Sequence, residues 1–522
     1  MPRTKIHADP AGIFLHDAIL DACRRHGEAV AFVDTSADRR ITYSEYGELV
    51  EHLARGLVAA GLRPGELLAI YLANSWEFCA AFHAANLAGA VPTPLNPSYR
   101  EREVRYQLED SGAAFLVTDG SLIQAIDLSG LPALRRVYTT REPAATAQSF
   151  SQLLAASSVA LPAPEQGPDQ VLAALPYSSG TTGLPKGVML SHTNLVTNVY
   201  QFLAPGEAAT FRPGEIVLCF LPLYHIYGLN VVLNPLLEVG GTIVLVPRFD
   251  LDRALDLIEG ESVTFLPVVP PILNLFCQAA EQGRFPRTHQ VRAAKCGAAP
   301  LASELPRRFH SLTGIPVRQG YGMTEASPVT HMGYIEEALY RPDSIGHALA
   351  RTECRLLDGS GAEVPPGQPG ELVMRGPQFM LGYWNAPQAT DEVLRDGWYW
   401  SGDVARCDAE DFYFIVDRRK EMIKYKGFAV APAEVEAVLL EHPAVRDCGV
   451  VGRADDAAGE IPCAFVVLRE GSAASARTEA ELAAWVAERL TGYKQPREVR
   501  FVGSIPRNPS GKILRRNLRE LL

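Results

Sequence analysis

No stretch of this chain reaches the roughly 18–20 uninterrupted apolar residues needed to cross a bilayer. Its most apolar windows, such as Val263 to Phe276, are broken by prolines. No run of lysine and arginine is dense enough to read as a nucleic-acid or membrane-surface patch, and the net charge is −11. The nine cysteines form no Cys-x-x-Cys pair and no metal-like spacing, which argues against a disulfide framework and for a reducing compartment. Met1 to Pro10 carries no apolar signal core, so the cytoplasm is the expected location. There is no Ser-His-Asp or nucleophile-elbow context, so no covalent protein nucleophile is expected.

What the chain has is size and alternation. Its 522 residues, 47% of them hydrophobic, are too many for one ordinary domain and ample for a buried core. Ala29 to Val33, Leu67 to Leu72 and Ala114 to Thr118 read as strands. Between them lie helical segments, one opened by Thr42 with Glu45 as a capping box, another from Glu77 to Ala88. This is the βαβ pattern of a mostly parallel sheet covered by helices. Residues 351–416 read as strands and turns of a small β-barrel subdomain, and 429–522 as a compact α+β unit.

One stretch stands out: Tyr177-Ser178-Ser179-Gly180-Thr181-Thr182-Gly183-Leu184-Pro185-Lys186-Gly187. Apolar runs flank it on both sides, so it reads as a long loop between two strands. Glycines let backbone N–H groups approach a ligand, hydroxyls donate hydrogen bonds and lysine adds a point charge. Such a loop suits a polyphosphate. It is not the common phosphate loop, because Lys186 is followed by Gly187 and a strand-like run, not by Ser or Thr and a helix.

Other residues fall where ligands gather. Val217 to Leu221 is a strand ending at Pro222-Leu223-Tyr224-His225-Ile226-Tyr227-Gly228, so His225 sits just past a strand's C-terminal end. Gly297, Ala298 and Ala299 are small enough for a flat ring to lie against the backbone. Gly320-Tyr321-Gly322-Met323-Thr324-Glu325 offers an aromatic face, a hydroxyl and a hard oxygen ligand. Asp403 follows a Ser-Gly turn. Asp417 to Phe428 is dense in cations, and a proline-stiffened loop presents Lys512 after Ser510-Gly511.

Together these segments resemble the adenylate-forming superfamily, which includes acyl-CoA synthetases, 4-coumarate:CoA ligases, firefly luciferase and peptide-synthetase adenylation domains. The likeness spans essentially the whole chain. It implies an α/β fold: a large N-terminal adenylation domain, 1–417, of βαβ-type sheets with the small barrel, then a mobile α+β lid, 418–522, hinged near Lys420. It implies ATP, Mg²⁺ and coenzyme A as cofactors or co-substrates. Ser178 to Lys186 would hold the triphosphate, with Thr181 and Glu325 on the metal. Gly297 to Ala299 and Gly320 to Gly322 would take the adenine, and Asp403 the ribose hydroxyls. Arg418 would contact ribose or phosphate, and Lys424, Lys426 and Gly427 would line the thiol's approach. His225, Thr324, Glu325 and Lys512 are the implied catalytic residues.

Two half-reactions follow from that likeness: a carboxylic acid becomes an acyl-AMP with loss of pyrophosphate, then passes to a thiol. Residues 226–237 contain no acid that could bind an α-amine, which argues against an amino-acid substrate. Leu229 to Leu237 and Phe265 to Leu273 are aliphatic and are expected to form the acyl pocket. The expected substrate is therefore a medium- or long-chain fatty acid. The alternatives are a 4-coumarate or other aryl acid, or delivery to a carrier protein's pantetheine in place of free CoA. No nucleic-acid partner and no membrane span are expected, and the protein is expected to be a monomer or homodimer.

Overall fold

The computed structural model describes residues 12–522 apart from 125, 145–146, 156–157, 179–183, 205–210, 302, 336–339, 342, 419–420, 427, 456–457 and 509–510. Among the described residues, the largest sheet has nine strands. Its centre is parallel and runs in the order Val317–Gly322, Ala293–Cys296, Phe265–Val268, Ile216–Cys219, Thr242–Leu245, Val30–Asp34. Antiparallel strands finish both edges, Arg39–Thr42 on one side and Val329–Met332 with His347–Ala348 on the other. A second, all-parallel sheet is built from Val91–Pro94, Leu67–Tyr71, Phe115–Thr118, Arg136–Thr139 and Gln148–Ser149. Strands of this kind are buried on both faces, so they read as short continuous apolar runs. Phe265–Val268 and Leu67–Tyr71 are buried at every position.

Helices cover these sheets, and their starts follow local chemistry. Tyr43–Ala59 begins where the Thr42 hydroxyl accepts the Glu45 N–H at 3.1 Å. The expected capping box is only half made, because the Glu45 carboxylate pairs with Arg39. Trp76–Leu87 starts at Ser75, and its residues Trp76 to Asn86 are all buried.

The two ends of the polar stretch at 177–187 pair with each other. Tyr177–Ser178 pairs antiparallel with Lys186–Ser191, Ser178 opposite Lys186. A strand therefore follows Lys186, as its neighbours require, and a helix begins only at His192. The same strand pairs on its other side with Gly382–Tyr383. The segment after 351 is a five-stranded antiparallel sheet whose longest strand is Trp398–Cys407. The chain ends in a smaller α+β unit. Val445–Asp455 and Gly459–Leu468 form a long hairpin, with Ile423–Tyr425, Phe428–Val430 and Glu498–Phe501 added beside it. Pro432–Leu440 and Ala476–Ala487 pack on it through Val435, Leu439, Leu482 and Val486. Among the described residues no helix is long and apolar enough to cross a membrane.

The turn after Ile216–Cys219 is tight. A Cβ on Gly228 would meet the Pro222 carbonyl oxygen at 2.3 Å, a backbone atom that cannot swing aside. Only glycine lets the chain fold back there into the wide helical turn Gly228–Leu233. Gly228→Ala is expected to destabilise the protein by about 1–3 kcal/mol through overpacking. Thermal unfolding checks this, and an unchanged midpoint would mean that the turn is slack.

Candidate active site

In a parallel sheet all strands end at one edge, so the loops that follow them converge. Here three converge: 222–228 after Ile216–Cys219, 297–301 after Ala293–Cys296, and 323–325 after Val317–Gly322. They line a cavity of about 2030 Å³ that also takes in Ser178, Asp403, Arg418, Lys424 and Lys512. Residues expected at one site from far-apart motifs are thus brought together.

His225 is held by its own loop. Its Nδ1 accepts the Tyr227 N–H at 3.2 Å, which leaves Nε2 as the protonated nitrogen. Burial pushes the ring down to about 4, so it is a neutral donor near pH 7. The Tyr227 hydroxyl donates to the Lys295 carbonyl at 3.0 Å, which lays its ring across the strand ends. A Cβ on Gly297 would sit 3.4 Å from that ring and 3.6 Å from the Gly320 carbonyl. The Tyr227 ring therefore packs directly against Gly297, and both line the cavity together with Gly320. Ala298 next to it adopts a left-handed backbone, φ +68°, an uncommon conformation for a residue with a side chain.

Glu325 is buried, and its Oε1 accepts from the Tyr383 hydroxyl at 2.8 Å and the Ser178 hydroxyl at 3.2 Å. Among the described residues no group of three or more His, Cys, Asp or Glu gathers to hold a metal ion. One carboxylate beside one hydroxyl is the donor set of a hard cation kept mainly by phosphate oxygens and water. Asp403 and Arg418 face each other across paired strands, with Arg418 Nε 3.3 Å from Asp403 Oδ1. The Tyr321 hydroxyl donates to Asp403 Oδ2. The aromatic face and the carboxylate expected for a nucleoside are therefore one hydrogen-bonded unit.

Lys512 reaches this cavity from the C-terminal unit. Its loop is fixed locally: Asn508 Oδ1 accepts the Lys512 N–H at 2.8 Å, and the Lys512 carbonyl accepts the Asn508 N–H at 2.9 Å. Gly511, at φ +84°, packs on Pro271 of the large domain. Burial, then the positive charge of Arg418, push the ammonium down to about 8.

Other expectations fare differently. Lys186 stays on its strand with Nζ 5.6 Å from the Tyr383 ring centroid, and Lys426 similarly sits 5.6 Å from Tyr425. Ser179, Gly180, Thr181, Thr182, Gly183, Lys420 and Gly427 lie outside the described residues. The aliphatic pocket needs correction. Of Leu229–Leu237 only Val231 lines the cavity, and nothing from Phe265–Leu273 does. Those residues are core of the helix and of the central sheet. The cavity lining instead includes Phe202, Tyr224, Tyr227, Met323, Pro328 and the buried Lys295. The sequence did carry a signal for Lys295, a charge inside an otherwise apolar strand. Tyr383 had none, since only the pairing of Val188 with Tyr383 brings it in.

Comparison with known proteins agrees with this geometry. The AMP-binding enzyme family model matches residues 19–384, and that of the AMP-binding enzyme C-terminal domain matches 434–512. The chain is 40% identical over 523 residues to 4-coumarate–CoA ligase 5 of Oryza sativa subsp. japonica, covering 99% of this chain and 96% of that protein. It is 38% identical over 524 residues to 4-coumarate-CoA ligase 1 of Narcissus pseudonarcissus, covering 98% and 94%. Among solved structures, anthranilate CoA ligase AuaEII with anthranoyl-AMP shares the fold at TM-score 0.90 and 24% identity over 99% of each chain. O-succinylbenzoate CoA synthetase from Bacillus subtilis, with its acyl-adenylate, has TM-score 0.82 and 30% identity over 96% of this chain and 97% of that one. Fold and cavity thus define an adenylate-forming enzyme. The chain belongs to the AMP-binding enzyme family and is an AMP-forming acid–CoA ligase.

The lysine gives a direct check. Below about pH 8 Lys512 carries its proton, and above it the amine is free. Competitive acetylation with trace acetic anhydride is expected to label Lys512 along a curve centred near 8, against the ordinary 10.5. A curve that follows the exposed lysines would contradict the buried placement.

Proposed function

We propose that the enzyme activates a hydroxycinnamic or related aryl acid, in place of the fatty acid that its aliphatic stretches suggested. One observation carries this. The cavity that takes in His225 is also lined by the aromatic and small residues Tyr224, Tyr227, Phe202, Gly297 and Gly320 and by the buried Lys295. Aromatic side chains around the cavity suit a planar acid, and a cation among them suits a phenolic oxygen. The relatives named 4-coumarate–CoA ligases support the same reading.

In the first half-reaction a carboxylate oxygen attacks the α-phosphorus of ATP. The bond to the bridging oxygen breaks and pyrophosphate leaves. Both reactants are anions, so the site must place positive charge and donors where charge builds up. Lys512 would bridge the carboxylate and α-phosphate oxygens, and the Nε2–H of His225 would orient the carboxylate. Asp403 would accept from the ribose hydroxyls while Tyr321 and Arg418 hold it in place. The hairpin entered at Ser178 would hold the leaving pyrophosphate. Glu325, with Thr324 and Ser178 close in the cavity lining, would hold Mg²⁺, which when bound neutralises phosphate charge.

In the second half-reaction the CoA sulfur attacks the acyl carbon, AMP departs with the electron pair of the broken C–O bond, and the thiol proton is released. Lys512 has no part there, and its loop would withdraw as the C-terminal unit turns, near Lys420, to bring Lys424 and Lys426 towards the thiol. A carrier-bound pantetheine uses the same chemistry as free CoA.

Pyrophosphate release across 4-coumarate, cinnamate, benzoate, hexanoate and palmitate tests the substrate. The highest kcat/KM is expected with the hydroxycinnamates, and a preference for palmitate would overturn the reading. Lys512→Ala is expected to slow adenylate formation by about 10²–10³-fold, as loss of one transition-state donor does. Thioester formation from supplied acyl-adenylate should persist. Equal losses in both half-reactions would contradict this division of work.

A further inference from the structure

Helix Glu101–Ser111 ends against its own dipole. Its last turn holds Glu109 and Asp110 and no basic residue, although a helix C-terminus is partly negative and favours cations. Glu109 is paired with Arg105. Asp110 does nothing for the helix, so its partners indicate what it serves. Its Oδ2 accepts from the Tyr177 hydroxyl at 2.6 Å. Its main-chain carbonyl, one of those that a helix end leaves unpaired, accepts from Trp384 Nε1 and Asn385 Nδ2, both at 3.0 Å. Tyr106 stands one turn earlier on the same face of the helix. Its hydroxyl donates to the Pro185 carbonyl at 2.8 Å.

Tyr177 and Pro185 stand at the two ends of the polar stretch expected to hold pyrophosphate. Among the described residues those ends pair at two positions, Ser178 with Lys186 and Tyr177 with Gly187. A ladder that short is marginal by itself. The helix that ties both ends is firmly seated. Its Val104, Gln107, Leu108 and Ser111 are buried, and Gln107 Nε2 donates to Thr93 Oγ1 at 3.0 Å and to the Pro94 carbonyl at 3.1 Å. Trp384, held at Asp110, closes the other side: its N–H donates to the Gly187 carbonyl at 2.8 Å. Tyr177, Ser178 and Pro185 line the cavity, whereas Tyr106 and Asp110 do not.

We propose that Tyr106 and Asp110 are positioning residues: from one helix face they fix both ends of the polar stretch, at Pro185 and at Tyr177, and so hold its donors ready for the departing pyrophosphate. The inference rests on the reading of this stretch as the grip on pyrophosphate. Without the two ties, more of the stretch's freedom is lost on binding, which weakens affinity for ATP and pyrophosphate alike. The acid and the thiol step do not use this stretch and are spared.

ATP–pyrophosphate exchange tests this, run with the acid of highest kcat/KM in the series above. It yields a KM for ATP and a KM for pyrophosphate, neither of which depends on the fraction of enzyme correctly folded. Tyr106→Phe loses one neutral hydrogen bond and is expected to raise both by about threefold to tenfold. Asp110→Ala loses a bond to a charged group and is expected to raise both by about tenfold or more. Asp110→Asn keeps an acceptor for the Tyr177 hydroxyl and is expected to stay within about threefold of wild type. In all three, the KM for the acid and the rate of thioester formation from supplied acyl-adenylate should remain those of wild type, which a general loosening of the fold would not allow. Unchanged KM values for ATP and pyrophosphate in Tyr106→Phe and Asp110→Ala, or an equal loss in the thioester step, overturn the inference. Lys186→Ala examines the reading beneath it and is expected to raise the KM for pyrophosphate. If Lys186→Ala alone raises it, the grip stands and the two ties do not serve it. If Lys186→Ala also leaves it unchanged, the grip itself is refuted, and the inference with it.

Discussion

Two cations share the heart of this molecule. Lys512 and Arg418 line one cavity, and the charge of Arg418 adds to burial in weakening the lysine's hold on its proton. Asp403 and Glu421 offset the crowding in part. A site that gathers positive charge away from water is under electrostatic tension that an incoming polyanion relieves. The rest of the architecture serves that meeting. The parallel sheet brings its loops to one edge, paired strands set Asp403 opposite Arg418, and a separate small unit carries the lysine in.

This division places rigid and removable parts differently. Asp403, Tyr321 and Arg418 stand on strands of the large assembly and are tied to one another. Glu325 is likewise tied, to Ser178 and Tyr383. Lys512 stands on a loop tied by the Asn508–Lys512 backbone hydrogen bond, with Gly511 against Pro271. In the reaction proposed above, a nucleotide held by the first set would stay in place as the lysine withdraws.

The chemistry-bearing segments could be read in the chain because each breaks its local pattern. A glycine-rich hairpin, a histidine after a strand and a lysine after prolines all interrupt apolar periodicity. The acyl slot could not be read in the same way. Leu229–Leu237 and Phe265–Leu273 are apolar, and an apolar run looks the same whether it faces a ligand or a neighbouring helix. Burial of Phe265–Val268 within the central sheet settles the matter against the pocket, and only topology determines that. Tyr383 reaches Glu325 through strand pairing between distant segments, a register no local pattern encodes. Lys295 was legible as a charge out of place in Ala293–Cys296, yet its neighbours Phe202 and Tyr227 come from other elements.

The contact between Gly511 and Pro271 carries its own consequence for tolerance to change. A side-chain carbon at 511 would lie 2.9 Å from a proline ring, on a backbone already in the left-handed region. The lysine's seat thus depends on the absence of one methyl group. A natural variant at this position would keep every charged and polar group of the active site, and a search for altered chemistry would pass over it. Its enzyme would still fail at the docking of the loop.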